Sequence, residues 1–200
     1  YGGQWKLLHY MARRFFLPVN VVAVPDTEKG EIVFKGINDT ASRTEVSLEV
    51  RIVNVDGSST TVHDKRGKIG PDAAAELARV PLSKLGDGDF LAFSWTGEDG
   101  NLLGENDFFP RAYKYYDIPD AKVKATWSTQ DGAPVLTLTT DCPAFFVTAS
   151  VDVPGYFSDN ALTLVPGRET RLTFTPRHGA KVTQKALASS LRIRHLRETY

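Results

Sequence analysis

The stretch TEVSLEVRIVNVDG, residues 44–57, decides the fold class of this chain. Apolar residues fall at every second position, at Val46, Leu48, Val50 and Ile52, and mainly polar residues lie between them. This period of two is typical of an antiparallel strand with one buried face. Asp56-Gly57 follows at once and is a strong hairpin signal. We therefore expect β-structure here, with a hairpin leading into the next strand.

Similar strand patterns recur along most of the chain. They cover 19–26, 31–39, 58–65, 75–82, 89–97, a region near 102–116, and then 121–129, 133–141, 144–153, 160–166, 169–176 and 190–200. Short strands at such spacing favour a sandwich or a barrel. The turn around Pro119 divides the two sets. We expect an all-β chain of two β-sandwiches in tandem, 19–117 and 118–200.

Residues 4–17, QWKLLHYMARRFFL, have a different period. They contain no Gly, Pro or β-branched residue, and their apolar residues recur at helical spacing. Pro18 ends the run. We expect one short amphipathic helix before the sandwiches. Its wide aromatic face needs a partner, and if that partner is missing the face is exposed.

Composition excludes several classes of function. The chain has 200 residues, with 24 Lys and Arg against 24 Asp and Glu, so no net field attracts nucleic acid or an anionic membrane. No apolar run approaches the ~20 residues of a membrane span. The single cysteine, Cys142, excludes an intrachain disulfide, and we expect it to be a small buried residue. Cytoplasmic and periplasmic or secreted bacterial locations both stay open.

The residue types that serve in catalysis or metal binding form no recognisable motif in this sequence. His9, His63, His178 and His195 lie outside metal-ligand spacing of one another, and phosphate-binding glycine motifs are absent. We expect His9 at the polar edge of the helix and the other three in loops or on the solvent face. The sequence predicts no catalytic residue, no metal ligand and no cofactor-binding residue.

Two further features have alternative interpretations. Asn38-Asp39-Thr40 is a formal glycosylation sequon, which we interpret as a turn. Trp95, Trp127, Tyr156 and the run Tyr113–Tyr116 could stack on sugar rings. We favour core positions for both tryptophans and an inter-domain contact for the tyrosine run.

The N-terminal helix carries a family resemblance. The run from Gly3 to Val19 resembles a stretch of the β-mannosidases of glycoside hydrolase family 2, W-K-x-L-H-Y-x-A-K/R-K/R-F-F/Y-x-P-V. In that family the stretch forms the last helix of the catalytic TIM barrel and leads into an immunoglobulin-like domain. The matching residues are Trp5, Lys6, Leu8, His9, Tyr10, Ala12, Arg13, Arg14, Phe15, Phe16, Pro18 and Val19.

The far end of the chain resembles the same family. Residues 155–160, GYFSDN, followed by LVPG at 164–167, resemble its final-domain signature G-x-F-S-D-N-x-F-x-L-x-P-G. Ala161 and Leu162 depart from it, since an aromatic residue is common there. The resemblance covers the whole chain. It assigns residues 1–18 to a remnant of the last barrel helix, and the start at Tyr1 without Met fits a piece of a longer chain.

The resemblance implies a parent enzyme that removes terminal β-mannose with retention of configuration. Its two catalytic glutamates would lie on barrel strands before Tyr1, so none carries over. Glu105-Asn106 is not the family's Asn-Glu pair, because the order is reversed. The implied role is a non-catalytic accessory region that packs against and braces the barrel. The implied partner is the barrel of the same chain, through the helix carrying Trp5, Leu8, Phe15 and Phe16.

Other functions stay open at this point. The aromatic residues leave a carbohydrate-binding module possible, with an oligosaccharide as partner. Immunoglobulin-like sandwiches also serve in adhesion, although an adhesin has no need of a barrel helix. The parent could equally be another family 2 enzyme, such as an exo-glucosaminidase or a β-galactosidase.

Overall fold

The computed structural model describes residues 5–177 and 182–199 of the chain. The chain divides into two compact units. One is Arg13–Asp117, and the other combines Tyr1–Ala12 with Ile118–Tyr200. The division falls inside helix α1, Leu7–Phe15, so its two ends belong to different units.

The first unit contains two antiparallel sheets, which we call the first sandwich. Its strands are β1 Val19–Asp26, β2 Glu31–Asn38, β3 Thr44–Asn54, β4 Ser59–Ile69, β5 Ala73–Pro81, β6 Asp89–Thr96 and β7 Leu102–Phe108. One sheet has the order β1-β2-β5 and the other β4-β3-β6-β7. Single 3₁₀ turns lie at Leu82–Lys84 and Tyr113–Tyr115.

The core of the first sandwich is built on the alternation that the sequence shows. Val46, Leu48 and Val50 of β3 are buried, and they pack with Trp95 of β6. The Trp95 indole N–H donates to the carbonyl of Val19, 3.1 Å away, so the largest core side chain also satisfies its polar atom.

The second sandwich lies in the other unit and is less regular. Its elements are β8 Val123–Gln130, β9 Ala133–Thr140, β10 Ala144–Ser150, β11 Gly155–Phe157, β12 Leu162–Leu164, β13 Thr170–Pro176, α2 Gln184–Ser190 and β14 Arg192–Arg194. The strands form the sheets β11-β13-β9-β8 and β12-β10-β14. A 3₁₀ turn follows at Leu196–Thr199.

A buried asparagine replaces strand hydrogen bonds in this second sandwich. The Asn160 side chain accepts from the backbone N–H of Ala149 at 2.9 Å and donates to the Ala149 carbonyl at 2.8 Å. It therefore pairs with β10 as a neighbouring strand would. Ala161 follows at a left-handed φ of 54° and leads directly into β12, which pairs with β10. The end of the GYFSDN signature is thus a structural device.

The all-β architecture with paired antiparallel sheets is confirmed, with three local corrections. The strand expected near 102–116 ends at Phe108, and the one expected over 190–200 shrinks to Arg192–Arg194. Helix α2 was not predicted; the Thr183 hydroxyl caps it by accepting from the Ala186 N–H. Three residues named in the sequence analysis lie outside the described residues. They are Gln4 and Tyr200, which end predicted elements, and His178.

Candidate functional site

Helix α1 presents apolar side chains to solvent. Leu8, Phe15 and Phe16 are 70%, 63% and 84% exposed. Leu8 and Phe15 are seven residues apart, so they lie on one face of the helix. Clustered exposed apolar side chains of this kind mark interaction surfaces more often than scattered ones do. The predicted exposed apolar face therefore exists, and it consists of these three residues together with half-exposed Leu7.

Trp5 departs from that predicted face. It precedes α1, and its indole stacks on the ring of Tyr156 in β11, with centroids 4.5 Å apart and planes 13° from parallel. His9 approaches the same indole at 4.2 Å. Tyr10 is only 4% exposed. The start of α1 is therefore packed within the second unit, because β11 supplies an aromatic ring that sequence periodicity cannot reveal.

The other end of α1 is held within the first unit. The Asn20 side-chain amide donates to the carbonyls of Arg14 and Phe15, each at 3.2 Å. These carbonyls lie in the last turn of α1, where backbone acceptors lack helical partners. The Asn20 Oδ1 also accepts from the N–H of Val21 at 2.8 Å. One buried side chain thus joins the end of α1 to the start of β1.

A cavity of about 350 Å³ lies beside the start of α1 in the second unit. Its aromatic wall includes Trp5, Tyr10 and Tyr156, and its polar lining includes Asp152 and Arg177. Asp152 is paired with Arg192 at 2.6 Å, and this contact lowers the pKa of its carboxyl. The cavity is large enough for one sugar ring or for a few side chains of another protein segment.

A cluster of carboxylates surrounds Arg79 on the first sandwich. The guanidinium contacts Glu76 at 2.7 Å, Glu31 at 3.0 Å and Asp26 at 3.2 Å. Arg79 lowers the pKa of Glu76 by hydrogen bonding to it. Such a network favours the charged carboxylate rather than a general acid with a raised pKa. It is a surface ion-pair network.

Cys142 and the described histidines lie on different elements of the fold. His9 lies at α1 and His63 on β4, and burial lowers the pKa of His63. His195, which we expected in a loop or on the solvent face, lies in the loop after β14 but is only 6% exposed. Burial, followed by the neighbouring Asp141, raises the pKa of the Cys142 thiol to about 11, which keeps it protonated at neutral pH.

Among residues 5–177 and 182–199, no group of three or more His, Cys, Asp or Glu side chains is arranged to hold a metal ion. No helix in the same part of the chain is long and apolar enough to cross a bilayer. The expectation that the chain holds no catalytic residue stays a prediction.

Asn38 of the sequon is part of the core. Its side chain is fully buried and donates to the carbonyls of Ser42 and Gly70, both at 2.8 Å. Thr40 donates its hydroxyl to the Asn38 Oδ1 at 2.7 Å. The amide nitrogen that a glycan would need is thus already bonded inside the fold, which agrees with the turn interpretation.

The aromatic residues are engaged mostly with protein. Trp95 is buried, and Trp127 is half-buried in the second core beside Phe157. Tyr113 and Tyr116 pack on Phe109 within the first unit. Tyr115 is the exposed member of its run, and the Lys114 ammonium lies 4.9 Å from its ring. No extended aromatic platform is formed by these residues.

Comparisons with known proteins agree with this architecture. Residues 30–115 match the family described as "Mannosidase Ig/CBM-like domain", and residues 118–199 match an "Ig-fold domain" family of mannosidases. The goat (Capra hircus) β-mannosidase is 29% identical over all of this chain, which covers 24% of that relative. β-Mannosidase A of Emericella nidulans is 24% identical over 98% of the chain, which covers 23% of it.

Solved structures share the fold. The β-D-mannosidase of Dictyoglomus thermophilum superimposes with a TM-score of 0.84 at 20% identity, over 96% of this chain and 23% of its own. An exo-chitosanase of Amycolatopsis orientalis gives 0.64 at 21% identity, over 94% and 26%. The chain thus spans about a quarter of the length of these relatives. Both sandwiches are immunoglobulin-like, and the chain belongs to the accessory immunoglobulin-like domains found in the C-terminal region of family 2 β-mannosidases.

Proposed function

We propose that this chain is a non-catalytic accessory region of a β-mannosidase-like glycoside hydrolase and that it packs against and braces the catalytic domain. The observation that carries the proposal is the exposed apolar face of α1 on a chain that spans only 24% of its relative. The parent enzyme hydrolyses terminal β-D-mannose with retention. The catalytic domain supplies the two carboxylates, about 5 Å apart, that this chemistry requires.

The finer part of the proposal concerns the contact surface. Residues 1–18 are the remnant of the last helix of the catalytic TIM barrel, of which α1 is the described helical part, and 19–117 and 118–200 are the two accessory sandwiches. Leu8, Phe15 and Phe16 dock on the barrel, because burying each of these side chains stabilises the contact by about 1.5–3 kcal/mol. The exposure of all three in the absence of the barrel supports this assignment.

The test compares one substitution in two contexts. Phe15→Ser should leave the unfolding of the 200-residue chain unchanged, since Phe15 is already exposed there. In the complete enzyme the same change should lower the Tm and the fraction of activity that survives heating. Leu102→Ser is the matched control, because Leu102 is 55% exposed but lies on β7. Equal effects of both variants in the complete enzyme would refute docking through α1.

A second test addresses catalysis and the parent's sugar. The isolated chain should give no turnover of an aryl β-mannoside, whereas the complete enzyme should cleave it. Turnover by purified chain above a matched blank would refute the non-catalytic role. A panel including aryl β-glucosaminide and β-galactoside distinguishes a β-mannosidase parent from an exo-glucosaminidase or a β-galactosidase. The fold that the chain shares with an exo-chitosanase makes this panel necessary.

One observation favours a second candidate, oligosaccharide binding: the cavity with aromatic and polar lining beside Trp5 and Tyr156. The engagement of both rings in a mutual stack weighs against it. Titration with manno-oligosaccharides, followed by calorimetry and by tryptophan fluorescence, separates the two functions. Saturable binding that Arg177→Ala weakens would favour the second candidate. A titration without any binding signal would argue against oligosaccharide binding and favour the bracing role.

A further inference from the structure

Helix α1 cannot owe its order to its own sequence. It has nine residues, whereas isolated helices shorter than roughly 12–15 residues are marginal in water. Leu8 and Phe15 are exposed and therefore contribute little packing within this chain. Whatever orders the helix must act on its other face or at its ends.

The opposite face of α1 rests on the second sandwich. Successive helical residues advance by about 100°, so Tyr10 lies about 200° around the axis from Leu8. Tyr10 is buried, and it lines the same cavity as Tyr156 and Phe174 of the second sandwich. The start of the helix is therefore two-sided: Tyr10 faces the second sandwich, and Leu8 faces away from it.

The start of α1 is fixed by a ring stack. Trp5 lies nearly parallel to Tyr156 at 4.5 Å and contacts Tyr10 at 5.3 Å. Tyr156 is itself held in β11, where its backbone pairs with Thr175 of β13. Stacked rings of this kind add attraction beyond the area they bury. The sheet thus offers a rigid aromatic surface to a helix that comes from the other end of the chain.

We propose that the second sandwich is a helix-positioning domain, in which Tyr156 holds the start of α1 and thereby orients the exposed side chain of Leu8. Tyr156 is a positioning residue, because it acts through Trp5. The consequence for the complete enzyme rests on the proposed function: the second sandwich contributes to bracing the barrel through α1. The positioning itself is a property of the 200-residue chain and can be tested there.

Hydrogen exchange on the 200-residue chain tests the positioning. In Tyr156→Ala, the amides of α1 should exchange about three- to tenfold faster than in the parent chain, because the stack is lost. Amides of β9 and of the first sandwich should be unchanged. Tyr156→Phe retains the ring and should restore slow exchange. The near-ultraviolet circular dichroism of the stacked pair should disappear in Tyr156→Ala and persist in Tyr156→Phe.

Two outcomes would overturn the proposal. If α1 exchanges equally fast in the parent chain and in Tyr156→Ala, the stack does not position the helix. If β9 and α1 both lose protection in Tyr156→Ala, Tyr156 merely stabilises the sandwich. Tyr115→Ala, which removes a largely exposed tyrosine from the first unit, is the control and should alter neither segment. None of these readouts involves the barrel, so docking through Phe15 could fail while positioning through Tyr156 holds.

Discussion

The two sandwiches satisfy the hydrogen-bonding groups of their backbones in different ways. The first sandwich uses strands of 7 to 11 residues, and the indole N–H of its central Trp95 reaches the Val19 carbonyl. The second sandwich includes three strands of only three residues, β11, β12 and β14. Long strands satisfy their backbone by regular pairing, whereas short strands leave groups that side chains must satisfy.

Among the described residues, the second sandwich accordingly has more left-handed non-glycine residues and more buried polar atoms without a hydrogen-bond partner. Asp131, Phe146 and Ala161 have left-handed φ angles, against Asp72 in the described part of the first sandwich. The buried Trp127 Nε1 and His195 Nδ1 have no hydrogen-bond partner among the described residues. The same fold can therefore be stabilised by regular strand pairing or by hydrogen bonds from individual side chains. In the second case, substitution of a single residue lowers stability more.

Asn160 should give the largest effect. In Asn160→Ala, the buried N–H and carbonyl of Ala149 lose their partner, which should lower the free energy of unfolding by about 2–5 kcal/mol. Urea unfolding measures the change. Asn101→Ala, which removes an exposed turn amide from the first sandwich, should stay within about 0.5 kcal/mol. Equal stability of the two variants would contradict the view that single side chains replace strand pairing in the second sandwich.

Two glycines provide a matched pair of smaller effects. A Cβ at Gly104 would lie 2.2 Å from the Trp95 ring, and one at Gly155 would lie 2.3 Å from the Phe174 ring and 2.6 Å from the Thr175 carbonyl oxygen. Either glycine-to-alanine change should cost about 1–3 kcal/mol in urea unfolding.

Only one of these clashes can be relieved by a second substitution. Trp95→Phe should recover part of the loss in Gly104→Ala, since only the ring is in the way. Phe174→Leu should recover little in Gly155→Ala, because the backbone carbonyl remains. Gly70→Ala, whose nearest atom would be 3.6 Å away, is the control. If stability recovered in both double variants, the clash at Gly155 would also involve only a ring, and the two sandwiches would not differ in this respect.

His195 should shift stability in the opposite direction. His195→Leu removes a buried nitrogen that has no hydrogen-bond partner among residues 5–177 and 182–199, and it introduces an apolar side chain of comparable size, so it should stabilise the chain by up to about 1 kcal/mol. The backbone N–H of His195, which donates to Glu198 at 3.0 Å, is retained. His63→Leu on β4 is the comparison, with a change within about 0.5 kcal/mol. Clear destabilisation by His195→Leu would show that His195 makes a contact the fold needs.

Cys142 should react at different rates in the folded and in the unfolded chain. Burial and Asp141 raise the pKa of its thiol to about 11 in the folded chain, against about 8.5 for an unfolded cysteine. Iodoacetamide should therefore react slowly at pH 8, and faster as the pH approaches 11. The same reaction in urea supplies the reference rate. Because the folded pKa is the higher one, the thiol's contribution to stability is complete below about pH 8.5 and is lost as the pH rises. Equal rates in the folded and unfolded chains at pH 8 would contradict the raised pKa.

The regular part of the fold could be predicted from sequence. The alternation of 44–55 and Asp56-Gly57 located β3 to within a residue of its end at Asn54, because a long strand repeats its signal. β11 and α2 escaped detection because three or seven residues carry too little period. Asn160 stands at the start of the predicted strand 160–166, but the pairing of its side chain with β10 could not be predicted, since it depends on Ala149 of another element.

The candidate site was predictable only on its exposed side. Helical spacing alone predicts that Leu8, Phe15 and Phe16 belong to an apolar face, and all three side chains are exposed. The position of Trp5 does not, because its partner Tyr156 lies near the other end of the sequence. Local periodicity reports which residues share a face, but not what that face meets.

The division of α1 between the two units sets an order of events during synthesis. Trp5 and Tyr10 leave the ribosome before Tyr156, which is made only after the whole of Arg13–Asp117. Closing so long a loop carries an entropic cost and slows folding. The stack at the start of α1 therefore forms late in folding, after the first sandwich has been synthesised. Until then, Tyr10 and Phe15 lie on a segment that is not yet ordered, and transiently exposed apolar surface of this kind promotes aggregation.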